Sequence, residues 1–492
     1  MGVSRGMATK AADGPPRSAS PLLHLDAVEL AAQVRSGRLS ARTAVQATLQ
    51  RIAATNDELG AMVFVDEAGA LARADAVDDS VAAGVDPGPL AGVPFGVKQL
   101  QAVRGWPWTL ASGGLQGRVA PATATMVQRA VRAGAVPVGL TASPELGRAS
   151  FTSSRLHGVT RNPWDLTRTP GGSSGGSAAA VSAGLMPICT GTDGAGSIRI
   201  PASFSGLVGF KGTRGRVTRG PLFGGSMQND CYGVLTRSVR DTARFLDCVV
   251  GLDERDPDAL PAPATAFEEA LALPTTRKPL RVVWSETLGF APCEPAVAAA
   301  ARHAAETLLT ALSAIEVRRP VALDDCSTTF RALSTPDVYQ VLRALDRDDL
   351  TQLSPTVRQY LDPARGLHID SLVDAYEERH RLVGTVAEIF DDADLIVTPT
   401  TQTTAFAAEG PMPSVINGVP VSHWASIGLT FPFNLTGHPA VSVPAGRCDG
   451  LPIGVQIVGR RHDDATVLAA AALLEQVQPW TKTAPDPDGR DR

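Results

Sequence analysis

Three serines and one lysine stand in surroundings that could make them reactive. Between Thr169 and Pro201 the chain reads TPGGSSGGSAAAVSAGLMPICTGTDGAGSIRIP. Ser173 and Ser174 lie between two glycine pairs, and Ser197 closes a second glycine-rich turn, Asp193-Gly194-Ala195-Gly196-Ser197. Turns of this kind that run into a helix present backbone N–H groups to an anion. The fourth residue, Lys98, ends the run Gly92-Val93-Pro94-Phe95-Gly96-Val97, which alternates β-formers with small residues. A lysine closing a buried strand is unusual, because an unpaired ammonium is seldom buried. Two chemistries fit the glycine turns: a phosphate cradle, or an oxyanion hole beside a nucleophilic serine.

The phosphate reading fails on spacing. A P-loop requires a lysine next to Ser or Thr after the glycines, and a dinucleotide loop requires G-x-G-x-x-G directly after a strand. No lysine occurs between Thr169 and Pro201, and the first glycine pair follows Arg168-Thr169-Pro170, a poor strand. A flexible Gly/Ser linker is excluded by the core-like apolar runs on both sides. Serine chemistry remains. A serine nucleophile needs a base, an oxyanion clamp and an acid for the leaving group. Lysine can be that base only when neutral, a state favoured by burial away from carboxylates.

At GGSSGGSAAAVSAG, GTDGAGSIRIPAS and GLVGFKGTRGRV the chain resembles the amidase signature family of serine hydrolases. HGVTRNPWDL, LTRSVRDTARFLD, FPFNLTGHPAVSVPAG and LPIGVQIVGR extend the resemblance over roughly Leu25 to Gln478. Carried over by position, it implies Ser197 as nucleophile, Ser173 as a bridging serine in a cis peptide, and Lys98 in GVPFGVKQL as base. Ser174 competes for the bridging role, and the family's spacing selects Ser173. The oxyanion would be held by the N–H groups of the turn Gly194-Ala195-Gly196-Ser197. Two departures from the family pattern are Gln99, where aspartate is usual, and Ala195, where a second glycine is usual. The motif variants are nearer to bacterial amidases of linear or cyclic amides than to the glutaminase component of the tRNA-dependent amidotransferase. Carbamates, aryl acylamides and esters share the acyl chemistry, and an ammonia-donating component of a larger assembly is the alternative. The resemblance implies a small-molecule amide substrate and no cofactor, and it allows a homodimer.

His157 and His438, in family-like blocks near glycines, are the rival bases; a lone histidine is more often structural. Asp193 is expected to order its turn, Arg199 to pair internally and Glu145 to be structural. Cys231, with Met227 and Asp230, is a candidate for the pocket wall or an inert core thiol.

These residues need a scaffold. With 492 residues, 44% of them hydrophobic, and a net charge of −5, the chain can bury a large core. It shows no basic run for nucleic acid and no apolar stretch of about 18 residues for a membrane span. The six cysteines lack C-x-x-C spacing and the eight histidines lack ligand spacing, so reduced thiols, no metal and a cytoplasmic location are expected. Helical periodicity covers Leu25 to Asn56 (two helices, the second capped by Ser40), Glu67 to Ala83, Thr123 to Gly134, Pro295 to Leu312 and Asp464 to Gln476. Strands are expected at Met62 to Val65, before Lys98, and at Val136 to Leu140, Leu280 to Trp284, Ile315 to Arg318, Asp394 to Pro399, Ala440 to Pro444 and Ile453 to Gly459. Helix then strand recurs around Ala178 to Cys189. The alternation predicts an α/β fold: a large mixed, mostly parallel sheet covered by helices on both faces. The expected layout is a disordered tail at 1–24, one domain over 25–480 and a flexible tail at 481–492. Within the domain lie a signature core at about 90–250 and a pocket-shaping region at about 255–390.

Overall fold

The computed structural model describes residues 21–222, 229–272, 278–343, 345, 347–359 and 361–485. One 11-stranded mixed sheet runs through it. Its strands are β1 (Met62–Val65), β2 (Pro94–Lys98), β3 (Val136–Thr141), β4 (Ile188–Asp193), β5 (Val208–Lys211) and β6 (Cys231–Thr236). They continue with β7 (Arg281–Trp284), β8 (Ile315–Glu316), β9 (Leu395–Pro399), β10 (Ala440–Cys448) and β11 (Leu451–Gly459). Across the sheet the order is β1-β3-β2-β4-β6-β5-β10-β11-β9-β7-β8. The parallel pairs are β3–β2–β4 on one side and β9–β7–β8 on the other, and each of those steps is bridged by a helical crossover or a long excursion. The middle of the sheet is antiparallel, and one of its pairs is a tight hairpin. That hairpin, β10–β11, turns at Asp449-Gly450, both with positive φ, the geometry that a two-residue loop demands.

Helices cover both faces. On one, α1 (Ala27–Arg35), α2 (Ala41–Leu59), α3 (Glu67–Ala82) and α4 (Thr125–Arg132) contribute to a continuous core with Phe95, Val97, Phe210 and Ile457 of the sheet. On the other, the short helices α5 (Gly175–Ser182) and α6 (Arg199–Ser205) pack Ala178, Val181 and Ala202 against Cys189 and Leu235. Farther along the chain, α7 (Val239–Val249), α8 (Pro295–Ala311), α9 (Ser327–Leu342), α10 (Ile369–Asp392) and α11 (Asp464–Val477) complete the layers. Ser40 caps α2 as expected, its Oγ accepting from Thr43 N at 3.0 Å.

Two boundaries differ from the sequence expectation. Residues 21–24, assigned to a tail, form a 3₁₀ turn with Leu23 buried and its carbonyl accepting from Arg237 Nη1 at 2.7 Å. At the other end Ala484 N donates to Ser182 O at 2.8 Å, so 481–485 are anchored as well. In both places a chain end supplies a backbone group to the fold: a carbonyl to the buried Arg237, and an N–H to the end of α5. Residues 1–20 and 486–492 lie outside the described residues. No described helix is long and apolar enough to cross a membrane, and no described group of three or more His, Cys, Asp or Glu could hold a metal.

Candidate active site

Strand alternation decides where Lys98 points. Phe95 and Val97 face the larger core, so Gly96 and Lys98 face α5 and α6. Lys98 is wholly buried, and three hydroxyls surround its amine: Nζ lies 2.7 Å from Ser173 Oγ, 2.9 Å from Ser174 Oγ and 2.9 Å from Thr192 Oγ1. No carboxylate bonds to it among the described residues. Burial pulls its pKa down to about 7, against the opposing fields of Asp230 and Asp193. Gln99 is turned away, its Nε2 donating to Ser143 O at 3.3 Å.

The two serine-bearing turns meet above this amine. The Gly172–Ser173 peptide is cis, the feature the family resemblance implies. Ser174 holds the cap position of α5, and its N–H donates to Ser197 O at 3.2 Å, joining one turn to the other. Ser173 lines a cavity that Ser197 also lines, whereas Ser174 is wholly buried behind them, its Oγ donating to Thr192 O at 3.3 Å. Ser197 is half-buried, and no hydrogen bond joins its Oγ to Ser173 among the described residues.

Asp193 shapes the Ser197 turn. Its Oδ1 accepts from Gly196 N at 2.7 Å, Arg199 Nη2 at 2.8 Å and Asn434 Nδ2 at 2.9 Å; its Oδ2 accepts from Arg199 Nε at 2.9 Å and Ile198 N at 3.2 Å. Burial alone would raise its pKa, but Arg199, Lys211 and Asn434 outweigh that and hold the carboxyl far below the ordinary carboxylate value. Thr430 Oγ1 donates to Ala195 O at 2.6 Å and pins the far side of the turn. A methyl on Gly196, whose φ is +120°, would strike Thr430 Oγ1. The Gly196 N–H, expected from the sequence to be an oxyanion donor, is instead committed to Asp193, while those of Gly194, Ala195 and Ser197 have no acceptor among the described residues. Asp193, Arg199 and Glu145 take the structural places expected of them; Glu145 accepts from Ser112 Oγ at 2.6 Å and Ser354 N at 2.7 Å.

The cavity wall is largely apolar, built from Leu100, Leu146, Ile200, Phe330, Trp424 and Ile427, with Arg148, Asp230 and His423 interspersed. Among the described residues of the region expected to shape the pocket, only Phe330 reaches it; Trp424, packed on Phe330 at 4.8 Å between centroids, arrives from a later loop. The rival histidines lie elsewhere. His438 is in the core, its Nδ1 2.8 Å from Thr436 Oγ1 and its ring stacked on Phe390 at 4.9 Å, and burial pushes its pKa down to about 3. His157 does not line the cavity, and the candidate wall residue Cys231 is buried toward Lys211, its thiol pushed up by desolvation. Met227 falls outside the described residues, whereas Asp230 does face the cavity. Thr192, His423 and Trp424 carried no sequence signal: an ordinary threonine in a strand and an aromatic loop acquire their place only when the chain folds.

Known proteins resemble this chain over most of its length. A family model described as Amidase matches residues 43–468. An acylamidase from Rhodococcus erythropolis is 34% identical over 478 residues, spanning 94% of this chain and 97% of its own. A glutamyl-tRNA(Gln) amidotransferase subunit from Chloroflexus aggregans is 34% identical over 475 residues, spanning 92% and 96%. Among solved structures, a bacterial aryl acylamidase of the amidase signature family superposes with a TM-score of 0.89 at 30% identity, covering 96% of this chain and 100% of that one. Substrate-bound 6-aminohexanoate cyclic dimer hydrolase gives 0.84 at 31% identity, covering 94% and 98%.

Proposed function

The chain belongs to the amidase signature family of hydrolases, and from that premise we propose that it cleaves carboxamides through an acyl-Ser197 intermediate, with Ser173 as relay and Lys98 as base. The observation that carries the reading is a buried amine at hydrogen-bond distance from Ser173 with, among the described residues, no carboxylate bonded to it. A neutral lysine has two N–H donors and one lone pair. Ser174 and Thr192 offer oxygens for the two donors, which leaves the lone pair to face the Ser173 hydroxyl. As Ser197 attacks the carbonyl, its proton passes to Ser173 while Ser173 gives its own to Lys98. The N–H groups of Gly194, Ala195 and Ser197 receive the negative charge, each such donor contributing on the order of 3 kcal/mol to the transition state. The relay then runs backward to protonate the leaving nitrogen, and water releases the acyl group.

The substrates are amides other than peptide bonds, linear or cyclic. A second reading, a glutaminase that passes ammonia to a partner protein, rests on the similarity to the glutamyl-tRNA(Gln) amidotransferase relative. It predicts glutamine as substrate and a co-purifying second protein. Release assays across amides, esters, carbamates and glutamine, combined with fluorophosphonate labelling mapped by peptide mass spectrometry, test both. The label is expected on Ser197; a label on another serine would overturn the assignment, and turnover of glutamine alone would favour the second reading.

A further inference from the structure

Beside the Ser197 turn sits a carboxylate that the acylation chemistry does not use. Asp230 immediately precedes β6, and the β4–β6 register sets Cys231 opposite Asp193. Asp230 is thereby brought against the turn: a methyl built on Gly194 would strike Asp230 Oδ1. The residue is only 9% exposed, and it faces the cavity that Ser173 and Ser197 line.

Its bonding is the opposite of that of Asp193. Among the described residues Asp230 accepts no hydrogen bond and forms no ion pair. Arg148 lines the same cavity and acts on it through space, yet the two are not in ion-pair contact. Lys98 also feels Asp230, but its amine is ringed by Ser173, Ser174 and Thr192. Buried carboxylates are ordinarily paired, and one left open toward a cavity calls for an explanation from outside the fold. Specific pockets are built this way: apolar walls, with a few polar groups that fix a ligand's orientation. Leu100, Leu146, Ile200, Phe330 and Ile427 supply the walls here. Of the groups a substrate could bring, an ammonium matches best, because it supplies both hydrogen bonds and the countercharge that a desolvated carboxylate lacks.

We propose that Asp230 is a specificity-determining residue that receives a substrate ammonium group, so that the amides cleaved fastest carry a primary amine a short chain away from the scissile carbonyl. The proposal rests on the hydrolase reading above and adds the substrate class to it.

The test compares matched p-nitroanilides in which a terminal ammonium replaces a methyl group: 3-aminopropionyl against butanoyl, and 5-aminopentanoyl against hexanoyl. The wild-type enzyme is expected to prefer at least one amine-bearing member by about tenfold or more in kcat/KM, and Asp230→Asn, which keeps the side-chain shape, should reduce that preference by between about ten- and a hundredfold. The readout is the ratio within each pair, so a general loss of rate does not imitate it. A ratio that stays within about twofold while both rates fall together would assign Asp230 to Lys98 or to the fold and overturn the proposal. Calorimetric titration of the wild-type enzyme with butylammonium and with 1-pentanol needs neither a variant nor turnover. Tighter binding of the ammonium supports the subsite, and equal or weaker binding overturns it. If no anilide is cleaved and no serine is labelled, the hydrolase reading falls, and this titration still decides the subsite.

Discussion

Two basic side chains are wholly buried within the same site, and the fold treats them in opposite ways. Arg199 is clasped by both oxygens of Asp193, by Gln456 Oε1 at 2.7 Å, by Asn434 Oδ1 at 2.6 Å and by Thr430 O at 3.0 Å. Those bonds engage the guanidinium on every side, so it is a fixed strut that holds the Ser197 turn. Lys98 has hydroxyls where Arg199 has a carboxylate and amides. Hydroxyls satisfy an amine with or without its extra proton, because each can donate or accept. Burial with a countercharge fixes charge, whereas burial among hydroxyls makes the proton exchangeable. The contrast separates a braced part of the site from a part whose proton is exchangeable.

The largest effect that would sharpen this contrast is on rate. Lys98→Met, similar in length and uncharged, should lower kcat/KM by at least about 10³-fold, with no loss of stability at pH 7 by chemical denaturation. A loss of folding equal to the loss of rate would show Lys98 to be a second strut. Arg199→Met should do the reverse in kind: by stranding Asp193 without its partner it should destabilise the fold by about 3–5 kcal/mol, read as a shift of the denaturation midpoint. An Arg199→Met protein as stable as wild type would break the comparison from the other side.

pH supplies the next test. With the Lys98 pKa pulled down to about 7, kcat/KM should fall about tenfold per unit below that value as the base becomes protonated, and level off above it. The stability linkage has a definite sign. Between about pH 7 and the ordinary lysine value of 10.5, an unfolded chain keeps the proton that folded Lys98 has lost, so the contribution of Lys98 to stability rises with pH through that window. The carboxyl of Asp193 is depressed below 3.8, so its contribution is intact above that value and is lost as pH falls further. Lys98→Met should therefore flatten the alkaline rise and leave the acid limb unchanged. The smallest effect is expected for Ser174→Ala, which removes one of three oxygens around the amine; a drop of about tenfold in kcat/KM, with labelling at Ser197 retained, would mark Ser174 as a holder of the lysine and not as the relay.

Much of this was legible in the residues themselves. Glycine turns flanking Ser173 and Ser197, and a lysine ending a strand, are local patterns, and local patterns survive reading in one dimension. Helix and strand positions followed from periodicity for the same reason, with small errors such as the length of β10 and β11, whose hairpin continues past the apolar run because pairing extends it. Less legible was the share of work among neighbours. Ser173 and Ser174 are adjacent and chemically identical, and only their packing sends one to the cavity and the other behind it.

Family membership is readable in one dimension, because the glycine turns, their serines and the strand-ending lysine stand in contiguous motifs. Folding sets the electrical state and surroundings of those groups. Asp230, Phe330, Thr430 and Asn434 come from separate stretches of chain, and the burial that lowers Lys98 is a property of the assembled sheet and helices. Proton affinity depends on everything within a few ångströms, and distance in space is the quantity a linear chain does not state.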